Sequence, residues 1–556
     1  MNMSDRSYTK LLQILMVTAP FFIGSYHEWA SCIITVYLIL ILLLHEKKKR
    51  GMIAMAITPG LIATAAVAAL YGLSILWAVD RGMAPLGFVK FLPLPLFALA
   101  IGQLDGEQRN ILWQPLPLSG VIMVLVSLGL SRISALSEFF MVNGRLSGFF
   151  QYPNTFALYL LVCVVLILFQ NELNIRRMIY LAVLFLGVAL SGSRTGFILW
   201  GAVLIIFLVR SKSRKGRLYV AALAGLLLAA SGIYAAVTGD FSSAARYLTT
   251  SASSSTLLGR LLYCRDALPI ILKHPFGLGY MGYFFTQGSF QTGVYSVVNI
   301  HNELFQLLLD IGWVPTIICI WVLIRSFRSG GITERVIIVV IVLHSMLDFD
   351  LQFIAIDLIL LAALSYEPLR SVRWKGRTFG RCCAAVLGVC ALYFGAASGL
   401  YYMRAHSATV ELYPGYTNAW IELLQQAENS EQMDEIANHI LTLDSVVPLA
   451  NSAKARTAFA AGDFEGVILF KEKAISYARY SLDEYLDYFD MLYVGIVLYE
   501  QVGDLYSAAV CRERILAIPE MLAEVKNSTS ALGWRIQDQP ELDLPETYMA
   551  QLMSLG

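Results

Sequence analysis

Of 556 residues, 57% are hydrophobic and 15% charged, with 41 Lys and Arg against 40 Asp and Glu and a formal net charge of +1. So little charge on so long a chain excludes a soluble globular protein and implies many membrane spans. The near-zero net charge adds little, because it averages basic loops with a mildly acidic C-terminal tail.

A spanning helix takes about 20 mostly apolar residues. Such runs lie at 11–25, 28–44, 52–78, 83–101, 113–131, 154–170, 177–192, 195–209, 218–237, 303–324, 333–347, 350–365 and 382–402. They predict an all-α polytopic membrane protein with about 12–13 transmembrane helices. The first run lacks a small-x-small cleavage site and leads at once into the second, so it reads as a helix and not a signal peptide.

With Arg6 and Lys10 in the cytoplasm, the alternate loops hold Lys47 to Arg50, Arg109, Arg176 and Arg177, Arg210 to Arg217, Arg325 to Arg335, and Arg370 to Arg381. Every strongly basic short loop then falls on one side, as the positive-inside rule requires. The N-terminus is therefore expected inside, and residues 238–302 and everything beyond 402 outside. The chain divides into a membrane body, 1–402, and a soluble tail, 403–556.

On the predicted outer side, arginines run against the topological bias. Arg145 lies in Asn143-Gly144-Arg145-Leu146-Ser147-Gly148-Phe149-Phe150, ahead of Gln151-Tyr152-Pro153-Asn154. Arg194 lies in the short turn Ser191-Gly192-Ser193-Arg194-Thr195-Gly196. Arg260 opens a polar, glycine-punctuated loop that continues through Arg265, Lys273-His274-Pro275-Phe276-Gly277-Leu278-Gly279 and His301-Asn302 to Gly312. Arginine is the permanently charged, planar donor suited to bidentate phosphate capture, and several at one face point to a lipid-linked diphosphate. The bland alternative is snorkelling to lipid headgroups, and Arg265 reads more simply as a solvated charge.

His301, at the mouth of an apolar helix, is a candidate general base; the bland alternative is a capping histidine. His344, Asp348 and Asp350 surround the last outer turn, where ionisable groups are functional candidates unless they form a wet turn. Lys90, in Phe88-Val89-Lys90-Phe91, poses the same question. Six of the eight cysteines fall inside predicted spans, and Cys264 and Cys511 show no pairing pattern, so neither a disulfide framework nor a metal site is expected.

In the tail, Ala458 to Phe464 and Leu498 to Leu505 each carry a Gly-Asp step leading into an amphipathic helix, Val467 to Ile475 and Ala508 to Ile518, the second followed by Pro519. Helix, Gly-Asp turn, helix resembles the tetratricopeptide unit, although the spacing of near forty residues exceeds the usual 34. Stacked hairpins of this kind offer concave docking surfaces to a protein partner.

Taken in order, Gly144 to Asn154, Ser191 to Gly196, Gly259-Arg260 with His-Pro-x-Gly-x-Gly, His301-Asn302 with Gly312, and His344-Ser-x-x-Asp-x-Asp resemble the O-antigen ligase and polymerase superfamily of bacterial membrane glycosyltransferases. Cys264 departs from it, since an aromatic more often follows the Gly-Arg pair. The resemblance implies a GT-C-like fold in the bacterial cytoplasmic membrane. It also implies inverting, metal-independent transfer of a glycan from an undecaprenyl diphosphate carrier to a glycan, lipid or protein acceptor, with no cofactor and no nucleic-acid partner.

On that basis Arg194 and Arg260 are expected to hold the diphosphate and His301 to take the acceptor's proton. Arg145, Arg265, Asn302, His344 and Asp348 are expected to bind substrate. Two alternatives use the same features: a protein O-oligosaccharyltransferase with the same donor, and a transporter or flippase for the lipid-linked glycan.

Overall fold

The computed structural model describes residues 3–48, 53–170, 173–222, 224–225, 255–374 and 377–555. The fold is all-α. Among the described residues, strands are limited to Ile53–Ile57 paired antiparallel with Arg370–Trp374 and a two-residue pair at Met141–Val142 and Arg145–Leu146. Among the described residues, six helices are long and apolar enough to cross a membrane, at Glu28–Lys47, Pro59–Leu76, Ala84–Ile101, Gly106–Leu130, Pro153–Gln170 and Gly380–Tyr402. The protein is a multi-pass membrane protein.

Pro153–Gln170 is the hub. It starts at a proline, whose missing N–H would be unpaired at a helix start anyway, and it is apolar on every side. From Phe156 to Leu168 no residue is more than 3% exposed. Leu116–Leu130, Ile175–Ser191, Arg194–Arg210 and Ile332–Ser345 pack around it. Lipid is as apolar as leucine, so close packing of small residues holds such helices together. A Cβ on Gly120 would sit 2.9 Å from Cys163 Sγ. Gly380–Tyr402, by contrast, packs along Glu28–Lys48 and leaves most of its surface exposed.

Several expected spans take a different form. The run 52–78 begins as the strand Ile53–Ile57 before the helix Pro59–Leu73. The run 350–365 yields only the short helix Ile354–Ala363. The run 218–237 lies outside the described residues beyond 225, as does the start of the 238–302 segment up to 254.

The expected single span 303–324 is two helices, Glu303–Ile311 and Trp313–Ser329, broken at Gly312, whose φ is +80°. The polar stretch Lys273 to Gly279 crosses this break as a strap. Leu278 N–H donates to Leu309 O, Gly279 N–H to Asp310 O and Trp313 N–H to Pro275 O, at 2.5, 3.0 and 3.0 Å. A Cβ on Gly312 would collide with Pro275 O, and one on Gly277 with the Asp310 carbonyl. The glycines of this motif therefore allow two backbones to touch.

Arg260 and Arg265 do not lie in a loop; they belong to the helix Ser255–Lys273. In the tail, Pro448–Ala460 turns through Gly462 and Asp463 into Phe464–Tyr477, and Leu482–Val502 turns through Gly503 and Asp504 into Leu505–Ser528. Each glycine has positive φ, and each aspartate caps the following helix by accepting from Gly466 N–H or Ser507 N–H. Pro519 sits inside the second of these helices instead of ending it.

Hydrogen bonds fasten the tail to the body. Thr417 Oγ1 donates to Asp80 Oδ1 at 3.0 Å and Tyr413 OH to Gly82 O at 2.6 Å. Further along, Ser530 N–H donates to Thr292 O at 2.9 Å. The body's apolar core runs without interruption through Tyr416, Ala419 and Ile440 to Ala453.

Candidate functional site

Four separate segments meet at Asp348. Its Oδ2 accepts from Asn154 Nδ2 at 2.7 Å and pairs with an Arg260 guanidinium nitrogen at 3.1 Å. Its Oδ1 accepts from Tyr152 OH at 2.6 Å and faces His301 Nδ1 at 3.2 Å. Arg145 completes the chain of contacts, donating to Asn154 Oδ1 at 2.5 Å and, through Nε, to Ser191 O at 2.7 Å. The turn before Arg194 is thereby tied to the same cluster.

Local structure explains these positions. Tyr152 and Asn154 flank the proline that begins the hub helix, so both side chains lie at that helix's mouth. His301 has φ +56°, in the left-handed region that few non-glycine residues occupy. Asn302 holds it there as helix cap, with Oδ1 accepting from Phe305 N–H and Nδ2 donating to Met346 O. Non-glycine residues held in such conformations gather at functional sites.

Asp348 is 2% exposed. Burial alone would raise its carboxyl, but the Arg260 charge and the contact with His301 hold it well below the usual carboxylate range. Arg260 and His301 keep openings, at 15% and 20% exposure. Among the described residues, Arg260 Nε is buried with no hydrogen-bond partner, a donor left costly until something accepts from it. Arg194, at the first position of Arg194–Arg210, forms no hydrogen bond or ion pair with the described residues. The positive end of its helix dipole favours an anion at that turn.

Behind this layer, Asp350 is fully buried and accepts from Thr155 Oγ1 at 2.7 Å and Ser345 Oγ at 3.2 Å. His344 Nδ1 lies 2.6 Å from its Oδ2. The pair at 348 and 350 is therefore no wet turn.

Of the residues expected to form the site, the structure brings Arg145, Arg260, His301 and Asp348 together. Asn302 has both amide groups engaged in positioning His301, and His344 is enclosed one layer back. Arg265, five residues along the helix from Arg260, is exposed on another face. Tyr152 is a member of the cluster that sequence reasoning left without a role; its place directly before Pro153 was the available signal.

Residues 179–320 match the family described as O-Antigen ligase. This stretch contains Arg194, Arg260 and His301 and supports the O-antigen ligase and polymerase superfamily. No curated protein matches the chain.

Proposed function

We propose that the protein transfers or polymerises a glycan from an undecaprenyl diphosphate carrier onto an acceptor hydroxyl, without a metal and with inversion. The family match supports a membrane glycan ligase or polymerase in general; donor and mechanism rest on the cluster. The observation that carries the reading is the convergence of Arg260 and His301, from opposite ends of one polar segment, on a single buried carboxylate.

In this reading His301 Nε2 takes the proton of the acceptor hydroxyl as its oxygen attacks the anomeric carbon. The bond from that carbon to the diphosphate oxygen breaks, and its electron pair leaves with the diphosphate. Arg260 and Arg194 stabilise the departing charge, which for a preorganised donor is worth about 2.7–4 kcal/mol. Asp348 accepts from Nδ1–H, keeping Nε2 free as the acceptor and stabilising the imidazolium once it forms. The cluster faces the outer side of the cytoplasmic membrane, the N-terminus is inside, and 403–556 is an outer helical domain of tetratricopeptide-like hairpins.

Purified Arg260→Ala and Arg194→Ala proteins, given lipid-linked donor and acceptor, are expected to insert normally and to lose transfer by about 10²–10³-fold. Full activity in either variant would remove the basis of this assignment.

A further inference from the structure

Next to the cluster lies a cavity of about 820 Å³ between the membrane body and the first tail helices. Its size falls within the range of built ligand sites, and its lining mixes charged and amide side chains with tyrosine rings, Met83, Met281 and Val298. Lys90 lines it at 2% exposure. Among the described residues its Nζ makes no hydrogen bond or ion pair; it lies 4.6 Å from the Tyr26 ring centroid and 5.5 Å from that of Tyr280. Glu28 stands beside it, accepting from Tyr280 OH at 2.5 Å and Ser398 Oγ at 3.1 Å. A buried ammonium without a hydrogen-bond acceptor is costly, and a ligand in this cavity would supply one.

The tail closes the other side. Asn418 and Glu422 line the cavity at a spacing of four, from the helix Thr417–Gln425, with Gln426 at the end of the same row. That spacing is one face of a helix, here a polar face turned to the cavity. The cavity shares a wall with the catalytic cluster. Tyr26 lies edge-on to Phe349 at 6.3 Å, and Phe349 to His301 at 4.9 Å. Asn299, two residues before His301, donates to Tyr26 OH at 3.1 Å.

Resting on the proposed transferase reading, we infer that this cavity is a glycan subsite that presents a sugar chain to His301. Tyrosine rings match the apolar C–H faces of pyranoses. Carboxylates, amides and the unshared ammonium match a ring of hydroxyls, which both donate and accept. Cations and anions are interspersed along the lining, which fits a polyhydroxylated chain better than a ligand of one charge. The chain could belong to the acceptor or to the donor, and the two differ in the kinetic constant they control.

The test uses full-length protein in lipid nanodiscs and the oligosaccharide freed by mild acid from the host's own lipid-linked glycan. Calorimetric titration is expected to show binding to the parent protein and to Arg260→Ala alike, and at least tenfold weaker binding to Lys90→Gln. The paired change Asn418→Ala and Glu422→Ala, on the surface of a tail helix, is expected to weaken binding similarly and guards against misfolding of the buried variant. A rise in KM for acceptor at constant donor KM assigns the subsite to the acceptor, and the reverse to the donor; either supports a glycan site. Unchanged binding and unchanged KM values in both variants overturn it, as does tight binding of a host surface-protein peptide with none of the oligosaccharide. The catalytic reading fails separately, if Arg260→Ala retains transfer.

Discussion

Replacing Asp348 with Asn changes one oxygen to a nitrogen in a residue whose two carboxylate oxygens have distinct duties. Oδ2 receives donors from Asn154 and Arg260, both of which would repel an NH2 group. The asparagine therefore keeps its oxygen there and turns its nitrogen toward Tyr152 and His301, so that Phe349 N–H loses the acceptor it has in Oδ1. Tyr152 can rotate its hydroxyl to accept. His301 Nδ1 must also accept, which leaves the proton on Nε2, the nitrogen needed as base. General-base catalysis contributes about 10²–10⁴-fold. At about 1.4 kcal/mol per tenfold, the expected rise in barrier is about 3–5 kcal/mol. Because the substitution keeps shape and most hydrogen bonds, the protein is expected to remain folded, with KM for the donor raised less than kcat falls. The assay is single-turnover transfer from lipid-linked donor to labelled acceptor in nanodiscs, alongside a melting curve. A rate within about tenfold of the parent, less than any general-base contribution, would refute the assigned tautomer.

Two further predictions concern the scaffold. Gly312→Ala forces a side chain onto a backbone at φ +80° and ψ −166°, a region essentially reserved to glycine, at about 1–3 kcal/mol, and into the Pro275 carbonyl; detergent melting is expected to show a clear loss, whereas an unchanged Tm would mean that the strap does not hold the helix break. At the seam of body and tail, burial pushes the Asp80 carboxyl up to about 7 and, aided by Asp80, the Asp444 carboxyl up to about 8. A folded-state carboxyl raised in this way favours the protonated form, so its stabilisation is full below the ordinary value of 3.8 and is lost as pH rises to and through these values. Tm is expected to fall between about pH 5 and 8 and to fall less in Asp80→Asn and Asp444→Asn; equal slopes in parent and variants would contradict this.

Much of the site was legible because its parts are local and costly. Arg145, Arg260 and His301 stand out wherever charge is scarce, and the Gly-Asp steps at 462–463 and 503–504 announce a turn that only glycine enters easily followed by a side-chain cap. The misjudged elements involve contacts between distant segments. Hydropathy averaged across Gly312 joins two helices into one, since nothing nearby shows that residues 275–279 will press on that point. Asp348 stands out in the sequence as an ionisable residue at an outer turn, but its role as the meeting point shows only when residues 152, 154, 260 and 301 are brought to it.

The strap also separates two kinds of evolutionary freedom. By fastening residues 275–279 to the break at Gly312, it fixes both boundaries of the intervening chain, which carries His301. The same interval supplies Tyr280, Met281, Tyr283 and Asn299 to the cavity wall. Substitutions at those wall positions can change the cavity while the strap's pairing, which runs through backbone atoms alone, stays in place.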